Sequence, residues 1–109
     1  MTAPRPGSRV RGSRSGRPIM AALDLLGRRW ALRVLWELRA GPLPFRALSD
    51  ACGGVSPAVL NTRLAELRAA GVVESTGAGY AATDAGRELC HALEPLQDWA
   101  RRWWRRLDR

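Results

Sequence analysis

Few residues in this chain could support covalent or acid–base chemistry, and they are scattered. Cys52 and Cys90 lie 38 positions apart, with no Cys-x-x-Cys pair and no Cys/His cluster. That spacing supports neither structural zinc nor a disulfide scaffold. Both thiols sit among apolar helical neighbours, so they are expected to act as small buried hydrophobes rather than redox sensors. His91, the single histidine, stands on an Ala- and Leu-rich stretch and reads as a tolerated helix residue rather than a ligand or pH switch. No carboxylate pair, Ser/His/Asp set or phosphate-cradling loop is visible, and Gly77-Ala78-Gly79 is too short for a P-loop. An enzyme is disfavoured, and neither a cofactor nor a metal is expected.

What the spacing does offer is a recognition surface. Ser56 followed by Pro57 fits the N-cap and first position of a helix. Leu60, Leu64 and Leu67 then share one face up to Gly71. Ala58, Asn61, Thr62, Ala65 and Ala69 fall on or near the opposite side, with Arg63 and Arg68 at the flanks. A face so small and polar can approach another surface closely, as a helix in a DNA major groove must. Ordinary solvent exposure is the plainer reading of the same face.

Charge narrows the choice of partner. The chain has 109 residues, and its 18 basic residues, all Arg, stand against 10 acids for a net charge of +8. Residues 1–17 carry +5 without an acid and are rich in Pro, Gly and Ser, so they read as a disordered basic tail. Residues 101–109 carry +4, whereas residues 18–100 carry −1. Binding to nucleic acid must therefore come from the placement of Arg on one face and from the two basic ends. A solvated tail without a partner is the alternative. The length allows one small domain, residues 18–109, with little room for a deep cleft, and makes oligomerisation an expectation. No apolar run is long enough to span a membrane, the N-terminus has no secretory core, and the chain reads as cytoplasmic.

The elements that must position this face follow from punctuation and periodicity. Pro18, Ile19, Ala22, Leu23 and Leu26 predict a two-turn helix ending at Gly27. Trp30 to Leu38 is apolar on more than one side and predicts a central helix. Gly41-Pro42 and Pro44 break the chain, leaving Leu43 to Phe45 as a very short strand before a helix over Phe45 to Cys52. Gly53-Gly54 supplies a turn into the Pro57 helix. Val72 to Ser75 and Tyr80 to Ala82 predict a hairpin around Thr76 to Gly79. Thr83 can cap a last helix, which Pro95 interrupts or kinks, so that two segments are expected. The fold class is mainly α with a small β-hairpin, a winged helix-turn-helix.

Several stretches carry a family resemblance. Ala22 to Trp30 (ALDLLGRRW) resembles the ALDLIGGKW segment that opens HxlR-type, MarR-like transcriptional regulators. Leu35-Trp36-Glu37-Leu38 with Gly41 to Phe45, Val55 to Leu60 with Arg63 to Leu67, Gly71-Val72-Val73, and Tyr80 to Gly86 are similar to later motifs of that family, in order. The resemblance spans roughly residues 17–104. It implies a homodimer that binds double-stranded DNA at an inverted-repeat operator and represses or activates nearby genes, sometimes in response to a small molecule or oxidant. Repression is the expected mode. By the same resemblance Ser56, Pro57, Ala58, Asn61, Thr62 and Arg63 would lie near DNA. Arg46 would lie near phosphate, with Arg28 and Arg29 as further backbone contacts.

Two departures bear on mechanism. Arg17 stands before Pro18 where many members carry a Cys, which excludes an oxidant switch at that position. The segment Ser75 to Gly79 is short and uncharged, so the wing should add little phosphate contact. Arg5, Arg9, Arg11, Arg14 and Arg17 of the tail could compensate along the backbone or minor groove.

Trp99, Trp103 and Trp104 lie near the C-terminus beside Leu96 and Leu107, on a terminal helix with few partners in so small a fold. A symmetric interface through Ile19, Leu23, Leu96, Trp99, Trp103 and Leu107 is expected, although one or two Trp could instead pack on the Trp30 to Arg39 helix. Arg101, Arg102, Arg105 and Arg106 complement the helix C-terminus more readily than they reach phosphate. An effector pocket near Trp30, Trp36 and the terminal Trp cluster is compatible with this arrangement. A winged helix serving protein association without specific DNA binding is the rival reading.

Overall fold

Three leucines one helical turn apart organise the core. Leu60, Leu64 and Leu67 are buried together with Val34, Leu35, Leu38 and Leu48, all at 2% exposure or less. The computed structural model describes residues 17–108; the basic N-terminal segment before Arg17 lies outside the described residues. Five helices and one hairpin surround this core: α1 (Pro18–Leu26), α2 (Ala31–Glu37), α3 (Phe45–Cys52), α4 (Pro57–Ala69), β1 (Val73–Thr76), β2 (Gly79–Ala82) and α5 (Asp84–Leu107). Helix α2 packs against α1, α3, α4 and α5, as expected of a segment apolar on several sides.

Local chemistry sets the boundaries. Pro18 opens α1 and Pro57 opens α4, and the Ser56 hydroxyl accepts from the Val59 amide at 3.2 Å. Gly71, at φ 79°, closes α4: its amide donates to the Arg68 carbonyl at 3.0 Å while the Val72 amide donates to Leu67 at 3.1 Å. This is the paired closure of a Schellman turn. Val72 is thereby drawn into the helix cap, so the first strand starts at Val73 rather than Val72.

The hairpin is tighter than its sequence suggests. Thr76 pairs with Gly79 across the ladder, leaving Gly77-Ala78 as the turn, and the Thr76 hydroxyl accepts from the Ala78 amide at 3.1 Å. The short strand expected before α3 appears as a single bridge. Leu43 and Tyr80 exchange both backbone hydrogen bonds at 2.9 Å. Gly79, at φ 121°, permits this approach, because a Cβ there would overlap the Leu43 carbonyl and Pro44.

Two further expectations change in detail. Trp30 is left-handed, at φ 75°, and caps α2 instead of belonging to it. Helix α5 runs unbroken for 24 residues with Pro95 inside it. Pro95 is exposed, and the backbone bond its ring deletes is one among many in a helix well formed on both sides.

The entry of α5 is closely packed. Thr83 accepts from the Gly86 amide at 3.1 Å and donates to the Gly71 carbonyl at 2.6 Å, while a Cβ on Gly86 would overlap the Val72 carbonyl. Gly86→Ala is therefore expected to destabilise the domain by about 1–3 kcal/mol, the usual cost of overpacking. The midpoint of urea unfolding measures this.

Candidate nucleic-acid interface

Helix α4 presents two unlike faces. Behind it lie the buried leucines; in front, Ser56, Pro57, Ala58, Asn61, Thr62, Ala65 and Ala69 are all exposed. Several polar atoms on this front are already engaged. The Ser56 hydroxyl is occupied by its cap, and the Thr62 hydroxyl donates back to the Ala58 carbonyl at 3.0 Å. Thr62 therefore offers its methyl and an acceptor lone pair outward. The Asn61 amide, exposed at the centre of the face, brings two donors and an acceptor.

The arginines divide into two groups. Arg46, the second residue of α3, and Arg29 are exposed, the latter with its guanidinium 5.8 Å from the Trp30 ring centre. Arg28 and Arg63 are turned inward. Arg28 reaches Asp24 at 3.2 Å and Glu66 at 2.9 Å; Arg63 reaches Glu66 at 2.7 Å and donates through Nε to the Arg29 carbonyl at 2.7 Å. Sequence reading missed Glu66, which is the buried charged residue of the core at 8% exposure. Its i,i+3 spacing from Arg63 was the available signal, and nothing local revealed the contact with Arg28.

The wing is short and slightly acidic. Glu74 on β1 is exposed, as are Gly77 and Ala78 at the turn. Exposed large apolar side chains fall in two places only among the described residues. Ile19, Met20 and Leu23 lie on α1; Leu96, Trp99, Trp103, Trp104 and Leu107 lie on the distal half of α5. Trp99 and Trp103 stack at 5.5 Å with nearly parallel rings. The proximal half of α5 packs on α2, and a groove of about 320 Å³ between them is lined by Leu32, Arg33, Trp36, Leu93, Leu96, Gln97 and Ala100.

This order of helices with its bridged wing has close counterparts among known proteins. The HxlR-like helix-turn-helix family matches residues 25–108. The chain belongs to that family. HxlR-like proteins are winged helix-turn-helix transcriptional regulators of the MarR-like superfamily. This HxlR-like chain is 32% identical over 89 residues to the uncharacterised HTH-type transcriptional regulator YvaP of Bacillus subtilis (strain 168), covering 75% of this chain and 82% of the relative. The crystal structure of quinone-bound YodB from B. subtilis superposes with a TM-score of 0.73 at 30% identity, over 77% of this chain and 96% of that one. A possible HxlR family transcriptional factor from Thermoplasma volcanium GSS1 gives the same TM-score at 26% identity, over 82% and 86%. No helix among the described residues is long and apolar enough to cross a membrane.

The thiols of this HxlR-like chain are both buried. Burial pushes each above the ordinary thiol value of 9.0, reinforced by Glu37 at Cys52 and opposed by Arg39 at Cys90. A thiol whose folded value is raised binds its proton more tightly when folded, so stability falls as pH climbs past 9.0 toward that folded value. Native protein at neutral pH should react slowly with a thiol alkylator, and unfolded protein quickly; timed mass spectrometry measures both.

Proposed function

We propose that this chain is a cytoplasmic homodimer that binds double-stranded DNA at an inverted-repeat operator and represses the adjacent gene. The observation that carries the reading is the pairing of two surfaces. An exposed small-residue face on α4 is backed by a buried leucine seam, and the exposed apolar side chains gather elsewhere, on α1 and distal α5. Exposed tryptophans are strongly driven to a partner, and a two-fold contact there would deliver two α4 helices to successive major grooves. Ile19, Leu23, Leu96, Trp99, Trp103 and Leu107 form the proposed interface.

On the DNA side, Ser56, Pro57, Ala58, Asn61 and Thr62 approach base edges, and the Asn61 amide matches the adenine N6/N7 pair. Arg46 and Arg29 meet phosphate, where they fix orientation rather than read sequence. Arg28, which the resemblance implies as a backbone contact, and Arg63, which it implies on the recognition helix, are both held by partners within the protein, Arg28 by Asp24 and Glu66 and Arg63 by Glu66 and the Arg29 carbonyl. Glu74 and the uncharged turn make the wing a weak phosphate partner. The groove between α2 and α5, walled by Trp36 and three leucines, suits a small apolar effector. The quinone in YodB makes a planar carbonyl compound the first ligand to assay.

Two experiments test this reading. The chain should sediment at twice its monomer mass at micromolar concentration, and Trp103→Glu should yield monomers that lose tight binding to a duplex selected from a random pool. A wild-type chain that sediments as a monomer, or binds all duplexes alike, would favour a protein-association role instead. Deleting residues 2–16 should lower the slope of log affinity against log salt by about 0.9 for each arginine that contacts phosphate. An unchanged slope removes the tail from the interface.

A further inference from the structure

Three consecutive residues of the turn between α1 and α2 grip the helix-turn-helix. Arg28 Nη1 lies 2.9 Å from Glu66 Oε2, as an ion pair not aligned for a hydrogen bond. The Arg29 carbonyl accepts from Arg63 Nε at 2.7 Å. Trp30, in the left-handed region at φ 75°, extends its ring toward the α3–α4 turn, where a Cβ on Gly54 would meet it at 4.0 Å. A non-glycine residue keeps such a backbone only where its surroundings over-determine it.

Glu66 joins these contacts. One carboxylate oxygen meets Arg63 at 2.7 Å and the other meets Arg28, whose second nitrogen donates to Asp24 of α1 at 3.2 Å. A buried ion pair adds little net stability over an apolar replacement, because desolvation offsets attraction. What it supplies is direction. The leucine seam decides which side of α4 is buried, but apolar contact is non-directional and tolerates small rotations and slides. The hydrogen bonds of the planar Arg63 guanidinium, to Glu66 on α4 and to the Arg29 carbonyl in the α1–α2 turn, do not, and the Arg28 ion pair adds attraction without that directionality.

We propose that Glu66, clasped between Arg28 and Arg63, is a positioning residue that fixes the rotation and axial setting of α4 relative to α1. Because α1 carries part of the proposed two-fold contact, the clasp sets both the half-site spacing and the aim of Asn61 without touching DNA. Arg63 acts in it as a brace rather than as a base or phosphate contact. The inference rests on the homodimeric DNA-binding reading above.

The test uses the full chain, a duplex selected by the wild-type chain from a random pool, and a random duplex of equal length. Glu66→Gln keeps the shape and removes the charge; Arg63→Lys keeps the charge but replaces the rigid fork, which meets Arg29 through Nε and Glu66 through Nη1, with a single nitrogen on a flexible stem. Each variant is expected to remain dimeric and to keep its salt slope. Each should lose about tenfold or more in preference for the selected duplex, comparable to one mismatched base pair, and should reselect sites with altered half-site spacing. A folded Glu66→Gln variant with wild-type preference and spacing overturns the inference. So does an Arg63→Gln variant whose salt slope drops by about 0.9, which would make Arg63 a phosphate contact. If Glu66→Gln does not fold, the preference and spacing of Arg63→Lys decide. A wild-type chain with no duplex preference removes the DNA-binding reading and this inference with it, whereas a preference that survives both variants removes only the clasp.

Discussion

Burial of Leu60, Leu64 and Leu67 against α2 is the constraint from which the remaining architecture follows. Once those three side chains leave water, the opposite side of α4 must face out, and only small or polar residues occupy it. The same burial makes α2 the hub. It is short, but its neighbours on four sides are the other four helices, so their relative placement is settled through it. Each leucine removed from water contributes on the order of 2 kcal/mol, a sizeable share of the margin by which a domain of this size stays folded.

The frontier between what residues reveal locally and what they do not falls along contact distance. Proline at helix starts, glycine at helix ends and the leucine spacing of α4 are interactions between near neighbours, and they mark α1 and α3 to the residue and α4 to within one, since Ala70 caps the helix instead of belonging to it. The first strand begins one residue late because Val72 serves the α4 cap, a competition that the β-propensity of Val72-Val73 conceals. The unbroken course of α5 through Pro95 likewise reflects support from helical turns on both sides that overrides a local breaker. The outward face of α4 was legible for the same reason as its inward face. The contact between Arg28 and Glu66 was not, because it joins two elements that no periodicity links, although Arg63 and Glu66 at i,i+3 and Asp24 and Arg28 at i,i+4 were local signals.

Two parts of the surface have opposite characters. Around α4 the surface is small, polar and close to neutral, with Arg46 and Arg29 beside it; around distal α5 it is aromatic and edged with Arg101, Arg102, Arg105 and Arg106. In the proposed dimer both would be used, since one helix face of a few residues reads too little sequence alone, and duplication by symmetry doubles what is read. The clasp at the α1–α2 turn joins α1 to α4.

Helix α5 adds a constraint on chain length. As one rod of 24 residues it spans roughly 36 Å at the usual rise per residue, anchored at its start and bare toward its tip. Inserting a single residue between the anchored and bare parts would swing the indole stack by about 100° around the rod while leaving the body untouched. Substitutions along the middle of this rod should thus be far better tolerated than additions or deletions, and in the proposed dimer the count of residues between Cys90 and Trp99 becomes a fixed dimension rather than an incidental one.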